Sequence, residues 1–184
     1  MPNLRQLQQP EYMLSIAAVV IFAVFFSLAR PGFSQIKSPE GKYQIWVDIE
    51  QAAKAGDLDP NFVYAICVAE STLDPRANSG YAKGLMQLSK VAWKEVSKRP
   101  YSQAYNPKAN LEVGVAYLNH LKDFLNENNA FSYSNLAASY RYGPYALKDA
   151  DFRPSRLDKP HNLIYQQLFA GVTDPVEIPQ APAQ

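Results

Sequence analysis

Apolar residues crowd positions 12–29, where only Ser15 and Ser27 are clearly polar. At ~1.5 Å per residue this run extends ~27 Å, close to the thickness of a hydrocarbon core. It is longer than the apolar stretch of a cleaved signal, which is about 7–15 residues. The pattern therefore predicts an uncleaved membrane anchor, although Ser27-Leu28-Ala29 is a tolerable cleavage triplet. Residues 30–42 hold Pro31, Gly32, Ser34, Ser38, Pro39 and Gly41 and read as a linker. Beyond it the apolar positions follow a helical period.

Residues 43–55 place Trp46, Ile49 and Ala53 on one face. Asp59-Pro60 predicts a helix start, because Asp caps free N–H groups and Pro has none to lose. In that helix Phe62, Ile66 and Ala69 make one apolar stripe; Val63, Cys67 and Glu70 make the adjoining one. Asp74-Pro75 predicts its end at or before Asp74. A short extended piece is expected at 83–87, then a helix at 91–98 behind Ser89 as a possible N-cap. The longest helix is expected at 107–126, with Leu111, Val115, Leu118, Leu121 and Leu125 at helical spacing. Another, starting at Ser132 or Ser134, is expected to stop at Gly143, and one more at 161–170 before Gly171. Residues 173–184 carry Pro175, Pro179 and Pro182 without apolar period and read as a disordered tail. The organisation expected is a short segment 1–11, an anchor helix 12–29, a linker 30–42, one mainly α domain 43–172, and the tail.

Candidate chemistry begins with Glu70. It is an acid on an interior-facing stripe, near the negative end of its helix. Both circumstances disfavour the ionised form. A carboxylic acid that keeps its proton near neutral pH is what protonation of a glycosidic oxygen requires. The competing reading is a rim Glu paired with a nearby Lys or Arg.

Three sequence blocks bear on that choice. Glu70-Ser71-Thr72-Leu73-Asp74-Pro75-Arg76-Ala77-Asn78-Ser79, followed by Ala82-Lys83-Gly84-Leu85-Met86-Gln87, resembles the first signature of the soluble lytic transglycosylases, relatives of goose-type lysozyme. Asn110-Leu111-Glu112-Val113-Gly114-Val115-Ala116-Tyr117-Leu118 resembles their second block. Ala137-Ala138-Ser139-Tyr140-Arg141-Tyr142-Gly143-Pro144 resembles the third, and the order along the chain is the same. The resemblance implies a lysozyme-like, mainly α domain that needs no cofactor. It implies Glu70 as acid and base, and Tyr140 as the aromatic whose hydroxyl lies close to it. It implies Ser71 beside the acid, and Met86 and Gln87 lining the sugar cleft. Three departures stand out. The loop from Ser79 to Gly84 is one residue short. Lys90 replaces a helix-opening Pro. Arg141 follows Tyr140 where Asn is usual, bringing a charged planar donor to the sugar-contacting region.

A usual glycosidase needs two carboxylates. Here Asp74 is the other candidate near the motif, and its place before Pro75 suits a turn cap better than chemistry. One acid suffices if the substrate supplies the nucleophile. The resemblance implies that N-acetylmuramic acid attacks its own anomeric carbon and forms a 1,6-anhydro sugar. Hydrolysis of the same bond, and a wall-binding or assembly module without catalysis, are the competing functions.

Composition narrows the partners. Net charge over 184 residues is +1. Between Pro75 and Lys108, however, seven Lys and Arg residues face Glu95 alone. That excess suits either a solvated helix face or an anionic polymer such as peptidoglycan. No recognition-helix or aromatic–basic platform points to nucleic acid. Cys67 alone cannot form an internal disulfide, and on an apolar stripe it reads as a small core residue. His120 and His161 are too scattered for a metal site. Oligomeric state leaves no signal. Arg30, Lys37 and Lys42 after the run, against Arg5 and the amino terminus before it, lean weakly toward a cytoplasmic domain. The substrate implied by the resemblance outweighs that lean and puts the domain on the wall side, in a bacterial envelope or a membrane-containing phage particle.

Overall fold

The computed structural model describes residues 38–182. The expected anchor at 12–29, the segment before it and residues 30–37 of the expected linker lie outside the described residues. No helix among the described residues is long and apolar enough to cross a membrane.

Helix α1 (Pro39–Ala55) begins inside the expected linker. Ser38 is its N-cap, its Oγ accepting the Gly41 N–H at 3.1 Å, and Glu40 sits in the first turn. Ser, Pro and Glu in that order favour a helix start as strongly as they favour a turn, and here the helix wins. Ile49 and Ala53 are fully buried, and Trp46 meets Tyr64 edge-on at 5.5 Å.

Helix α2 (Pro60–Ser71) starts as expected, with Asp59 Oδ1 accepting the Asn61 N–H at 2.8 Å. Residues 62–67 and 69–71 are all buried, so both of its apolar stripes are covered. A helix apolar all round belongs at the centre of a core. It stops at Thr72, which takes a left-handed conformation with φ 53°.

The expected extended piece is a hairpin instead. Strands β1 (Ala82–Lys83) and β2 (Leu88–Ser89) pair antiparallel, Ala82 opposite Ser89 and Lys83 opposite Leu88. Gly84 to Gln87 form the turn. Gly84 has φ +81°, and a Cβ there would come within 2.2 Å of the Ala104 carbonyl oxygen. Only glycine fits both conditions.

Ser89 caps helix α3 (Lys90–Val96), accepting the Ala92 N–H at 3.1 Å. After a 3-10 turn (Tyr101–Tyr105), helix α4 (Pro107–Glu127) carries Leu118, Leu121 and Leu125 into the core at 0 % exposure. Helix α5 (Tyr133–Tyr142) is capped by Ser132 and ends at Gly143 with φ 92°. There the chain does not leave helix altogether. Pro144 opens a short helix α6 (Pro144–Asp149), followed by a 3-10 turn (Pro154–Arg156). Helix α7 (Leu163–Phe169) begins two residues later than expected, because Asn162 caps it by accepting the Ile164 N–H at 2.9 Å.

Val176 and Ile178, in the segment expected as a tail, pack against the core. Their two apolar side chains supply anchoring that a proline count does not register.

Candidate active site

Three ties hold α2, α5 and α7 together. Tyr133 Oη accepts the Asp59 N–H at 2.9 Å at the start of α2. Asn162 Nδ2 donates to the Ala69 carbonyl at 3.2 Å near its end. Ser134 Oγ donates to the Phe169 carbonyl at 2.6 Å and joins α5 to α7. Glu70 lies between these elements, in the last turn of α2, with 7 % of its surface exposed.

Its neighbours come from α7 and α5. The Tyr165 hydroxyl, on α7, donates to Glu70 Oε1. Arg141 Nη1, on α5, lies 3.9 Å from the same oxygen. Burial pushes the Glu70 carboxyl above the ordinary carboxylate range, and the Arg141 charge and the Tyr165 hydrogen bond pull it back. The Arg141 guanidinium also lies over the Tyr165 ring, 5.4 Å from its centroid. Burial holds the Tyr140 and Tyr165 hydroxyls well above the usual phenol range, so both remain hydrogen-bond donors at neutral pH.

Tyr140 donates its hydroxyl to the Met86 carbonyl at 2.6 Å. After burial, the Glu70 charge is the next cause that pushes its hydroxyl up. The hydrogen bond it makes nevertheless runs to the hairpin turn. Met86 itself is 0 % exposed, and its thioether lies over Gly114, where an added Cβ would meet Sδ at 2.1 Å. In this arrangement Met86 offers the site its backbone, while its side chain fills the core. Ser71 is also turned inward. Its Oγ lies 2.7 Å from the Leu85 carbonyl and 3.1 Å from the Cys67 carbonyl, binding α2 to the hairpin. Gln87, with φ 45°, donates Nε2 to the Ala77 and Gly84 carbonyls at 3.0 Å each. The sequence blocks therefore meet in space, but Ser71, expected beside the acid, and Met86 and Gln87, expected to line a sugar cleft, spend their polar groups or side chains on shaping the turn.

Behind the turn sits Asn110 of α4, at 0 % exposure. Its Oδ1 accepts the Met86 N–H at 2.8 Å; its Nδ2 donates to the Lys83 carbonyl at 3.0 Å and the Ala104 carbonyl at 2.9 Å. Asn110 and Tyr165 are the two residues that sequence reasoning did not single out for the site. Asn110 did leave a signal. It lies on the stripe of Gly114 and Leu118, where a polar residue demands buried partners. Tyr165 left none, since it stands in an ordinary amphipathic helix far along the chain.

Asp74 caps its turn, Oδ1 accepting the Arg76 N–H at 2.6 Å, as its place before Pro75 predicts. Cys67 is fully buried and its thiol is pushed well up by burial and by Glu70, which suits packing and not nucleophilic attack. Part of the basic excess is engaged. Arg99 pairs with Glu112 at 2.6 Å, and Lys83 lies 4.8 Å and 5.0 Å over the Tyr101 and Tyr105 rings.

Comparison with known proteins supplies the context. Residues 48–162 match the family described as Transglycosylase SLT domain. The chain is 31 % identical over 153 residues to the endo-type membrane-bound lytic murein transglycosylase A of Salmonella typhimurium (strain LT2), the match covering 74 % of this chain and 75 % of the relative. The protein of the same description from Salmonella enteritidis PT4 matches to the same extent. Among solved structures, an inactive mutant of the lytic transglycosylase Slt from Pseudomonas aeruginosa is similar, with a TM-score of 0.49 and 25 % identity. That match covers 67 % of this chain and 20 % of the other.

Proposed function

Because the chain belongs to the Transglycosylase SLT domain family, we propose that it is a peptidoglycan lytic transglycosylase with Glu70 as its acid and base. The observation that carries the reading is the state of Glu70. It is buried, biased toward its protonated form, and oriented by a phenol donor and a guanidinium. Asp74, the other carboxylate of the motif, is occupied in capping its turn. One carboxyl is enough for a reaction in which the substrate provides the nucleophile.

In the proposed cycle Glu70 protonates the oxygen leaving between N-acetylmuramic acid and N-acetylglucosamine. The sugar's acetamido group steadies the positive centre at the anomeric carbon. The ionised Glu70 then takes the proton of the C6 hydroxyl as that oxygen attacks, and a 1,6-anhydro end forms. The same group serves first as acid and then as base. Arg141 and Tyr165 stabilise the carboxylate between the two transfers. Tyr140 acts beside the acid by holding the Met86 carbonyl, and so the floor of the turn. Ser71, Met86 and Gln87 serve substrate binding through the shape of that turn, whose backbone they fix.

Digestion of purified peptidoglycan followed by mass analysis tests this. The expected muropeptides are lighter by one water than the products of hydrolysis. Products at the hydrolytic mass would make the protein a lysozyme-type hydrolase, and intact glycan would leave it a binding module.

Residues 12–29 are proposed as the anchor that holds the domain on the wall side of a membrane, consistent with relatives named membrane-bound. Alkaline washing of membranes is expected to leave the full-length chain in the pellet. A soluble, shortened product would show a cleaved signal instead.

A further inference from the structure

We propose that Arg141 is a positioning residue for Glu70: together with Tyr165 it engages one carboxyl oxygen, Oε1, leaves the transferable proton on Oε2, and thereby sets the pH above which the site loses its acid. The inference rests on the reading of Glu70 as that acid.

The geometry is one-sided. The Tyr165 hydroxyl donates to Oε1, and Arg141 Nη1 lies 3.9 Å from the same atom. A donor and a cation both favour negative charge on the oxygen they face. The neutral acid therefore carries its proton on the other oxygen, Oε2. At 3.9 Å, Nη1 is beyond hydrogen-bond reach of Oε1, so it acts on that oxygen as a nearby positive charge and leaves its lone pair to Tyr165. The guanidinium's own place is fixed partly by the cation–π contact with the Tyr165 ring. One tyrosine thus aligns both partners: its hydroxyl holds the carboxyl and its face holds the arginine.

The groups around Glu70 come from three elements. Cys67 lies on its own helix α2, Tyr140 and Arg141 come from α5, and Tyr165 comes from α7. Burial keeps the thiol and both phenols neutral at neutral pH. Of these four neighbours, Arg141 is the one that carries charge. Removing that charge acts in one direction. The carboxylate loses its cation, desolvation is opposed by Tyr165 alone, and the protonated acid persists to higher pH.

The test uses the full chain in detergent micelles, labelled with carbon-13 at the glutamate side-chain carboxyl. The Glu70 signal is assigned by its loss in Glu70→Gln. In Arg141→Gln the Glu70 midpoint is expected to rise by about one unit or more. The alkaline limb of kcat/KM on soluble glycan chains is expected to move up with it. Arg141→Lys, which keeps the charge without the guanidinium's fixed placement over Tyr165, is expected to fall between parent and Gln variant. Arg141→Asn serves as a second neutral variant if Gln disturbs folding. An unmoved Glu70 midpoint in the neutral variant overturns the inference and leaves Glu70 as the acid. A moved midpoint with an unmoved kinetic limb overturns the acid assignment, and the inference falls with it.

Discussion

Glu70→Gln is expected to abolish glycan cleavage while leaving the fold intact. The amide keeps the shape of the side chain, and its oxygen still accepts the Tyr165 hydroxyl. It cannot donate a proton to the leaving oxygen or recover one from the C6 hydroxyl. Loss of one positioned acid/base group costs typically 10²–10⁴-fold. Here the same group serves both transfers, so the upper end of that range is expected. A variant that digests peptidoglycan within a few-fold of the parent would sink the assignment.

The same substitution has a readable effect on stability. Burial raises the folded-state pKa of Glu70 above its unfolded value, so the folded chain binds more protons than the unfolded one across that interval. Stability therefore falls as pH rises from the unfolded pKa through the folded one, and stays lowered above it. Glutamine has no proton to lose. The variant is expected to match the parent at acid pH and to be the more stable of the two above the folded pKa of Glu70. Denaturation curves at two pH values, one on either side of that range, check this independently of activity.

Much of the fold was legible because its helices carry their own punctuation. Asp59-Pro60, Ser89, Ser132 and Gly143 act through local hydrogen bonds and backbone preferences, which a sequence displays directly. The same punctuation misled where one residue type serves two purposes. Ser38-Pro39-Glu40 looked like linker and starts α1; Gly143-Pro144 looked like a stop and also starts α6. Strands of two residues are too short to show an alternation, so the hairpin surfaced only as an extended piece with a glycine. Packing of Val176 and Ile178 depends on surfaces formed by distant elements, which local composition does not encode.

The site divides in a similar way. Burial of Glu70 followed from a helical stripe, a local property. Its hydrogen bond to Tyr165 joins residues from opposite ends of the domain and has no local trace. The motif blocks drew attention to Ser71, Met86 and Gln87, but a motif names residue types, not which of their groups faces outward. For Met86 the group that meets Tyr140 is the carbonyl, because its side chain is needed over Gly114. For Ser71 the hydroxyl is needed by Leu85.

Asn110→Ala is expected to be the most destabilising single change near the site, at a position that touches no catalytic atom. The side chain is fully buried and satisfies the Met86 N–H and the Lys83 and Ala104 carbonyls. Alanine leaves all three without that partner. A buried polar group left unsatisfied costs about 1–3 kcal/mol, and such costs add incompletely within one cluster, so a loss of about 3–5 kcal/mol is expected. That is a large share of the ~5–15 kcal/mol that holds a domain together. Asn110→Asp is no rescue. It keeps an acceptor for Met86 but turns an oxygen toward two carbonyls and buries a charge. The effect extends to function through Met86, whose carbonyl receives the Tyr140 hydroxyl. With its N–H released, the turn loses the constraint that sets that carbonyl, and kcat is expected to fall even in the molecules that remain folded. Denaturant titration gives the stability, and hydrogen exchange at the Met86 amide reports the turn. A loss under about 1 kcal/mol with the Met86 amide still protected would show that the turn is held from elsewhere, and that Asn110 is filling space instead of organising the site.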